Sequence, residues 1–270
     1  MPVQSWRALL SKAMSSNLLT EPVRPVTRVF LCHADTLEFP PDNNDHSHIL
    51  GKSERERLSR YQGRRYREFL QSRLLLRHAL SATLPGRFPP AHWQITERPE
   101  QPPLIHQAAE AGWYYSLSHS RGMIAVMISN SGFCGIDLEY QRHRANMAEL
   151  ADQWFHPDEA ALLAALTNHE RTGTFYRLWT MKEAFIKATD SSVFSGILAR
   201  IRFTPSSPRD RGQELCAHHL ELPTSPFSLS VVCRLPPTGI FLGYPVSRAE
   251  VISPRVTSYT IHQTASGRSI

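Results

Sequence analysis

Two acidic residues lie two positions apart within an apolar run. The segment Gly135-Ile136-Asp137-Leu138-Glu139 is typical of a β-strand. Because side chains alternate along a strand, Asp137 and Glu139 should project from the same face. Neighbouring carboxylates repel each other, so a partly buried pair usually needs a cation between them. On an exposed strand the pair would be ordinary surface charge, and the segment alone leaves both interpretations open.

A third carboxylate lies in a segment typical of a helix, Trp179-Thr180-Met181-Lys182-Glu183-Ala184-Phe185-Ile186-Lys187. Trp179, Glu183 and Lys187 are spaced four residues apart and therefore share one stripe. Glu183 and Lys187 could form an ordinary surface pair worth a few tenths of a kcal/mol. Alternatively, Glu183 joins the acid pair and Lys187 faces the same anionic ligand. Only four of the 30 basic residues are lysines, and two of them lie here, which mildly favours the second interpretation.

Three carboxylates are hard oxygen donors, which suit Mg²⁺ better than Zn²⁺. Magnesium completes its octahedral shell with water and phosphate oxygens, so the expected ligand contains a pyrophosphate. Lys187 would neutralise charge on that phosphate as a leaving group departs. His119, between Ser118 and Ser120, could add phosphate contacts, although it could equally be a loop histidine with a structural role.

Arginine is concentrated in one predicted helical region, residues 53–84, with three glutamates. Such a region is either a solvated helix face or a cationic wall for phosphates, and the sequence favours neither. The arginines are Arg55, Arg57, Arg60, Arg64, Arg65, Arg67, Arg73 and Arg77.

The elements that must position these residues alternate between strand and helix patterns. Strands are predicted at 27–33, 92–96, 113–118, 123–129, 134–140, 197–203, 214–222 and 227–235. Helices are predicted at 53–84 with a break near Gly63, and at 147–155, 157–166 and about 174–189. This order predicts an α+β protein with an N-terminal extension (1–26), two halves (27–133 and 134–235) and a poorly ordered Pro- and Ser-rich tail (236–270).

Composition limits the kinds of partner. The net charge of +6 indicates an anionic partner, and the 41% hydrophobic content excludes a wholly disordered chain. No apolar run approaches the length of a membrane span. The four cysteines lack disulfide- or zinc-like spacing, which predicts reduced thiols in a cytoplasmic protein.

Three of these segments together resemble the signature blocks of surfactin-type (Sfp-like) 4′-phosphopantetheinyl transferases. They are Ser116-Leu117-Ser118-His119-Ser120, the strand around Asp137 and the helix around Glu183, in the family's order and at comparable spacing. Phe155-His156-Pro157-Asp158-Glu159 is similar to a short block before the family's signature helix. The resemblance covers about residues 27–235.

The resemblance implies two similar, pseudo-symmetric α/β halves with the active site at their interface. It implies Mg²⁺-dependent transfer of the phosphopantetheine arm of coenzyme A to a serine of an acyl or peptidyl carrier protein, releasing adenosine 3′,5′-bisphosphate. The family pattern also implies a monomer. Together with the composition, it predicts a cytoplasmic protein whose partners include neither nucleic acid nor a membrane.

The resemblance also assigns roles to individual residues. Asp137, Glu139 and Glu183 would bind the metal, and Glu183 would also be the base. Lys187 would contact the pyrophosphate and assist the leaving group. Coenzyme A would be bound by Ser118, His119, Arg60, Arg67, Pro102 and Lys187. His119 would also be a catalytic residue, together with Glu183 and Lys187.

Two positions depart from the family's pattern. Glu100-Gln101-Pro102 replaces a Gly-Lys-Pro or Gly-Arg-Pro turn near the adenine, and Asp190-Ser191-Ser192 replaces a glycine after the signature helix. These departures leave open a family member that keeps the fold but catalyses poorly. Another alternative is a nucleic-acid or polyanion binder that uses the arginine-rich helices.

Overall fold

The computed structural model describes residues 25–33, 49–84, 88–191, 196–207, 215–222, 225–243 and 246–264. Nearly all of the expected N-terminal extension and the last six residues of the expected tail lie outside these ranges.

Twelve strands are present in the described ranges. They are β1 (Thr27–His33), β2 (Ile95–Arg98), β3 (Gln101–Ile105), β4 (Tyr114–Ser120), β5 (Met123–Ser129), β6 (Gly135–Tyr140), β7 (Ile201–Pro205), β8 (Cys216–Glu221), β9 (Phe227–Cys233), β10 (Gly239–Leu242), β11 (Glu250–Ile252) and β12 (Arg255–Gln263). The α-helices of the same ranges are α1 (Lys52–Leu58), α2 (Gly63–Thr83), α3 (His106–Glu110), α4 (Met147–Trp154), α5 (Pro157–Ala165) and α6 (Asn168–Thr189).

Two five-stranded sheets organise the molecule. The first has the order β11-β10-β1-β5-β4 and the second the order β6-β9-β8-β12-β7, while β2 and β3 form a separate hairpin. β10 runs parallel to β1, and the other pairs in both sheets are antiparallel. β4 and β6 are therefore edge strands, one in each sheet.

The apolar side chains form three main layers of core. Strand alternation sends Phe30 towards Leu75 and Leu76 of α2, and sends Val29 towards the second sheet, where it joins Ile136 and Leu138. A third cluster packs α6 against the other face of the second sheet. Each sheet thus carries one long helix, and the two sheets contact each other directly.

The long helix α6 begins earlier than the sequence pattern predicted, at Asn168 instead of about residue 174. Thr167 caps it: the Thr167 Oγ1 accepts the backbone N–H of Glu170, and the Glu170 carboxylate accepts the backbone N–H of Thr167. Such a reciprocal pair satisfies two amides of the first turn. The weak helix formers Thr172 and Gly173 are therefore inside the helix.

The mixed α+β class is confirmed, whereas the expected disorder of the C-terminal region is wrong for residues 239–243 and 246–263. β10 and β11 belong to the first sheet, and β12 lies inside the second. Pro and Ser weaken the local strand signal there, but partners far away in the chain, such as Thr27 for Thr238, supply the hydrogen bonds. Across the described ranges no helix is long and apolar enough to cross a membrane.

Candidate functional site

The two edge strands β4 and β6 lie against each other, and serine hydroxyls join them. The Ser116 Oγ accepts the Ile136 N–H at 3.1 Å, the Ser118 Oγ accepts the Leu138 N–H at 3.3 Å, and the Ser120 Oγ accepts the Tyr140 N–H at 3.1 Å. An edge strand leaves alternate N–H groups without a strand partner, so these hydroxyls take the place of carbonyls. We call this contact between residues 116–120 and 135–140 the seam.

Asp137 is buried at the seam, with 5% of its surface exposed. Its Oδ1 accepts hydrogen bonds from the Ser118 hydroxyl at 2.9 Å and from the Lys187 Nζ at 2.8 Å. The Lys187 Nζ also donates to the Ile136 carbonyl at 3.0 Å. The Asp137 Oδ2 is buried with no hydrogen-bond partner among the described residues, which makes it an available oxygen ligand.

Glu139 and Glu183 complete an acidic cluster around Asp137. The Glu139 Oε2 accepts a hydrogen bond from the Ser120 hydroxyl at 3.0 Å. The pKa of Glu139 is raised, mainly by burial and to a lesser extent by repulsion from Asp137. Burial also raises the pKa of Glu183; Asp137 and Glu139 push it in the same direction, and Lys187 opposes them. Since each glutamate is affected by its acidic neighbours, the three carboxylates share one electrostatic region.

Gly135 allows α6 to approach β6 closely enough to bring Glu183 and Lys187 to this cluster. A Cβ at Gly135 would lie 1.9 Å from the carbonyl oxygen of Ala184 and 2.8 Å from the amide nitrogen of Ala188. The helix ends at Asp190, whose left-handed conformation (φ 51°, ψ 36°) places its N–H on the Ile186 carbonyl. Asp190 therefore adopts the left-handed backbone conformation that glycine most often supplies at the end of a helix.

The acidic cluster fits Mg²⁺ by its chemistry: hard oxygen donors, mutual repulsion, and one buried carboxylate oxygen with no partner. Within the described ranges, no three Asp, Glu, His or Cys side chains surround a common point tightly enough to form a metal site by themselves. The protein would thus supply part of the coordination shell, and Mg²⁺ usually takes the remainder from water and phosphate.

A cavity of about 570 Å³ lies between α2 and β4, on the face of β4 opposite to Ser118. Its lining is strongly cationic: Arg57, Tyr61, Arg64, Arg65, Glu68, Phe69, Ser72, Arg73, Leu117 and His119. Arginines with planar, multidentate donors are well suited to phosphate. The arrangement can bind a phosphorylated ligand.

Carboxylates hold three of the four cavity arginines. The Glu97 side chain is buried and accepts hydrogen bonds from Arg57 at 2.7 Å and from Arg73 at 2.6 Å, while Arg64 pairs with Glu68 at 2.7 Å. Arg65 lies over the ring of Tyr61 at 4.4 Å. These contacts fix the guanidinium groups before any ligand arrives, which lowers the ordering cost of binding.

His119 lies between the cavity and the acidic cluster. Its side chain reaches solvent at the cavity's rim. Desolvation by the surrounding protein lowers the pKa of His119; Glu68 opposes this effect, whereas Lys187, Arg73 and Arg64 add to it. The imidazole is therefore close enough to respond both to charges that line the cavity and to Lys187 beside the acidic cluster.

Several residues expected to bind coenzyme A do not line this cavity. Arg60 and Arg67 are exposed: Arg60 lies in the turn between α1 and α2, and the helical phase of α2 places Arg64, Arg65 and Arg73 along the cavity instead of Arg67. Ser118 faces away from His119, as strand alternation requires, and binds Asp137. Pro102 is exposed in β3, and its carbonyl accepts the Arg98 guanidinium.

Two other residues of the helix segment are structural. Lys182 is fully buried, pairs with Glu159 at 2.7 Å and donates to the carbonyls of Leu198 and Ile201. Trp179 stacks on Phe175 with ring centres 6.0 Å apart. The scarcity of lysine thus pointed to one residue of the site, Lys187, and to one residue of the core.

Ser120 is a site residue that the sequence argument did not select, and among the eight arginines of the possible cationic wall it singled out Arg60 and Arg67 instead of the four that line the cavity. The alternating residues Ser116, Ser118 and Ser120 could have indicated Ser120. Their role is recognisable only once a second edge strand, β6, is known to lie beside them. Which arginines of a 21-residue helix face inward depends on how the helix packs.

Comparison with known proteins identifies the family. Residues 133–230 match the family model of the 4′-phosphopantetheinyl transferase superfamily. The chain is 31% identical over 193 residues to slr0495 of Synechocystis, a protein provisionally named a 4′-phosphopantetheinyl transferase, covering 68% of this chain and 76% of that protein.

Two further relatives match over a shorter length. The 4′-phosphopantetheinyl transferase HetI of Nostoc is 35% identical over 108 residues, which are 40% of this chain and 46% of HetI. The 4′-phosphopantetheinyl transferase AcpT of Escherichia coli K12 is 35% identical over 133 residues, which are 49% of this chain and 63% of AcpT.

Proposed function

Because this chain belongs to the 4′-phosphopantetheinyl transferase superfamily, we propose that it transfers the phosphopantetheine arm of coenzyme A to a serine of an acyl or peptidyl carrier protein. The proposed reaction depends on Mg²⁺, releases adenosine 3′,5′-bisphosphate and follows the surfactin-type pattern. The observation that carries the proposal is the seam, where Asp137, Glu139, Glu183 and Lys187 meet beside a cationic cavity.

The cavity would hold the 3′-phosphate of coenzyme A. Arg65 and the carboxylate-held Arg57, Arg64 and Arg73 present several N–H donors there, and His119 lies towards the acidic cluster. The pyrophosphate would then lie near Lys187, whose ammonium group can donate to it.

Asp137, Glu139 and Glu183 would hold the Mg²⁺, which when bound supplies positive charge to the pyrophosphate. The carrier serine Oγ forms a bond to the phosphorus that bears the pantetheine arm. The bond from that phosphorus to the bridging oxygen breaks, and the electron pair leaves with adenosine 3′,5′-bisphosphate. Glu183 accepts the serine proton, directly or through a water.

The arginine-rich helices give little support to the alternative of a nucleic-acid binder. Arg77 is fully buried against Glu54, Arg73 is also buried, and Arg57, Arg64 and Arg73 are each paired with a carboxylate. A binder of phosphate backbones would instead present these charges as a continuous outer face. Nor would it need the acidic cluster.

The direct test of the function is intact-mass analysis of apo-carrier proteins incubated with this protein, coenzyme A and Mg²⁺. We expect at least one acyl or peptidyl carrier to gain the mass of a single phosphopantetheine arm. EDTA should abolish the gain and added Mg²⁺ should restore it, while a carrier whose acceptor serine is alanine should stay unmodified. No gain on any carrier of a broad panel by the folded protein would contradict the proposal.

Arg65→Ala should raise the KM for coenzyme A about tenfold, because a hydrogen bond to a charged group contributes roughly 1.5 kcal/mol or more. The KM for 3′-dephospho-coenzyme A should change little, since the lost contact is to the 3′-phosphate. Arg67→Ala on the same helix is the matched control, because Arg67 is exposed and does not line the cavity. If the two variants had equal effects, or if Arg65→Ala affected both substrates equally, the 3′-phosphate would not bind in this cavity.

A further inference from the structure

The three serines of the seam are alike in one contact and differ in another. Each Oγ accepts one backbone N–H of β6. Ser118 and Ser120 also donate to carboxylates, at 2.9 Å to Asp137 and at 3.0 Å to Glu139. For Ser116 the described contacts show the backbone bond alone.

The direction of these hydrogen bonds follows from the chemistry of a hydroxyl. A serine has one proton to donate and two lone pairs to accept with. Because a backbone N–H of β6 already occupies a lone pair of Ser118, and another does so for Ser120, the proton of each hydroxyl is free to point at the carboxylate. When they are ionised, Asp137 and Glu139 have no proton to donate and can only accept hydrogen bonds. Each serine hydroxyl therefore fixes one oxygen of the carboxylate that it contacts.

These contacts decide which carboxylate oxygens remain available. The Asp137 Oδ1 is taken by Ser118 and Lys187, so that Oδ2 is the buried oxygen without a described partner. Ser120 holds the Oε2 of Glu139. Outer groups that orient a ligating carboxylate in this way commonly set metal affinity as well as geometry.

We propose that Ser118 and Ser120 are positioning residues that aim Asp137 and Glu139 at the divalent cation, so that hydroxyls of the first sheet set the metal affinity of acids on the second. This inference rests on the proposed function, since it takes the acidic cluster as the metal site. Docking of the two sheets and metal binding are thereby coupled through the seam.

The test compares Ser116→Ala, Ser118→Ala and Ser120→Ala in the full-length protein. Mn²⁺ serves as the probe, and its dissociation constant is measured by titration calorimetry and by the signal of free Mn²⁺ in electron paramagnetic resonance, with coenzyme A present and no carrier. Ser116→Ala is the matched control, because it removes a backbone bond across the seam without touching a carboxylate.

Ser118→Ala and Ser120→Ala should each weaken Mn²⁺ binding about tenfold or more, which is the usual cost of losing an orienting partner of a metal ligand. Ser116→Ala should change it less than twofold while lowering the melting temperature as much as the other two. Ser120→Thr keeps the hydroxyl and should restore affinity. If Ser118→Ala does not fold, the Ala and Thr variants at Ser120 decide the matter.

Two results would overturn this inference in different ways. Unchanged Mn²⁺ affinity in Ser118→Ala and Ser120→Ala, or an equal loss in Ser116→Ala, would make the serines merely structural while leaving the proposed function intact. If the unaltered protein did not bind Mn²⁺ in the presence of coenzyme A, the acidic cluster would not be a metal site. That result would contradict the proposed function as well.

Discussion

Gly135→Ala should destabilise the protein by roughly 3 kcal/mol or more, at the upper end of the cost of overpacking a core. The added Cβ would lie 1.9 Å from the Ala184 carbonyl oxygen and 2.9 Å from the Ala188 Cβ. The oxygen belongs to the backbone of α6, so no side-chain rotation relieves the contact. Either the helix moves away from β6 or the protein unfolds.

A variant that stays folded should also lose activity, because the shifted helix carries Glu183 and Lys187 away from Asp137. Urea unfolding followed by circular dichroism measures the stability, and carrier labelling measures the activity. Gly173→Ala is the matched control: Gly173 lies in the same helix with nothing within 4 Å of its added Cβ, so alanine should stabilise by about 0.5–1 kcal/mol. A Gly135→Ala protein of ordinary stability would contradict the close approach of α6.

Asp137→Asn should lower kcat/KM for carrier modification about a thousandfold, or about 4 kcal/mol. Asparagine keeps the shape of the side chain but removes the charge that pairs with Lys187 and would bind the metal. The amide oxygen can still accept from Ser118 and Lys187 at the position of Oδ1, which leaves the NH2 group, a donor, at the position of the Oδ2 that would bind the metal. Because Asp137 is buried in the acidic cluster, no neighbouring acid can take its position.

Thermal unfolding should show that Asp137→Asn is folded. The substitution removes the ion pair with Lys187, but it also removes the charge of Asp137 that repels Glu139 and Glu183. Glu221→Gln is the control, because Glu221 is an exposed acid at the end of β8 in the same sheet. Labelling rates compared over a series of Mg²⁺ concentrations measure the effect. Activity within tenfold of the unaltered protein would show that Asp137 does not bind the essential metal.

Local periodicity was enough to place the carboxylates. The strand period puts Asp137 and Glu139 on one face, and they do contact Ser118 and Ser120, themselves alternate residues of one strand. The helix period puts Glu183 and Lys187 on one stripe, and both interact with Asp137. Their roles in binding metal and pyrophosphate stay predictions until the variants above are measured.

Helix and strand patterns could not identify contacts made between distant segments. Pro and Ser weaken the local patterns of β10, β11 and β12, which form strands because partners elsewhere in the chain pair with them, as Arg28 does with Gly239. Arg60 and Arg67 resembled the cavity arginines in sequence, and only the tertiary arrangement of the helices over the first sheet shows which arginines line the cavity.

What the sequence determined by itself is therefore the type of each residue and the face of its own helix or strand, because both follow from the chain's 3.6- and 2-residue repeats. Only the tertiary structure decided which faces meet: that serines of one edge strand reach acids of another, and that the missing side chain of Gly135 lets a helix backbone touch a strand. These meetings depend on close packing between segments far apart in sequence, which no local repeat encodes.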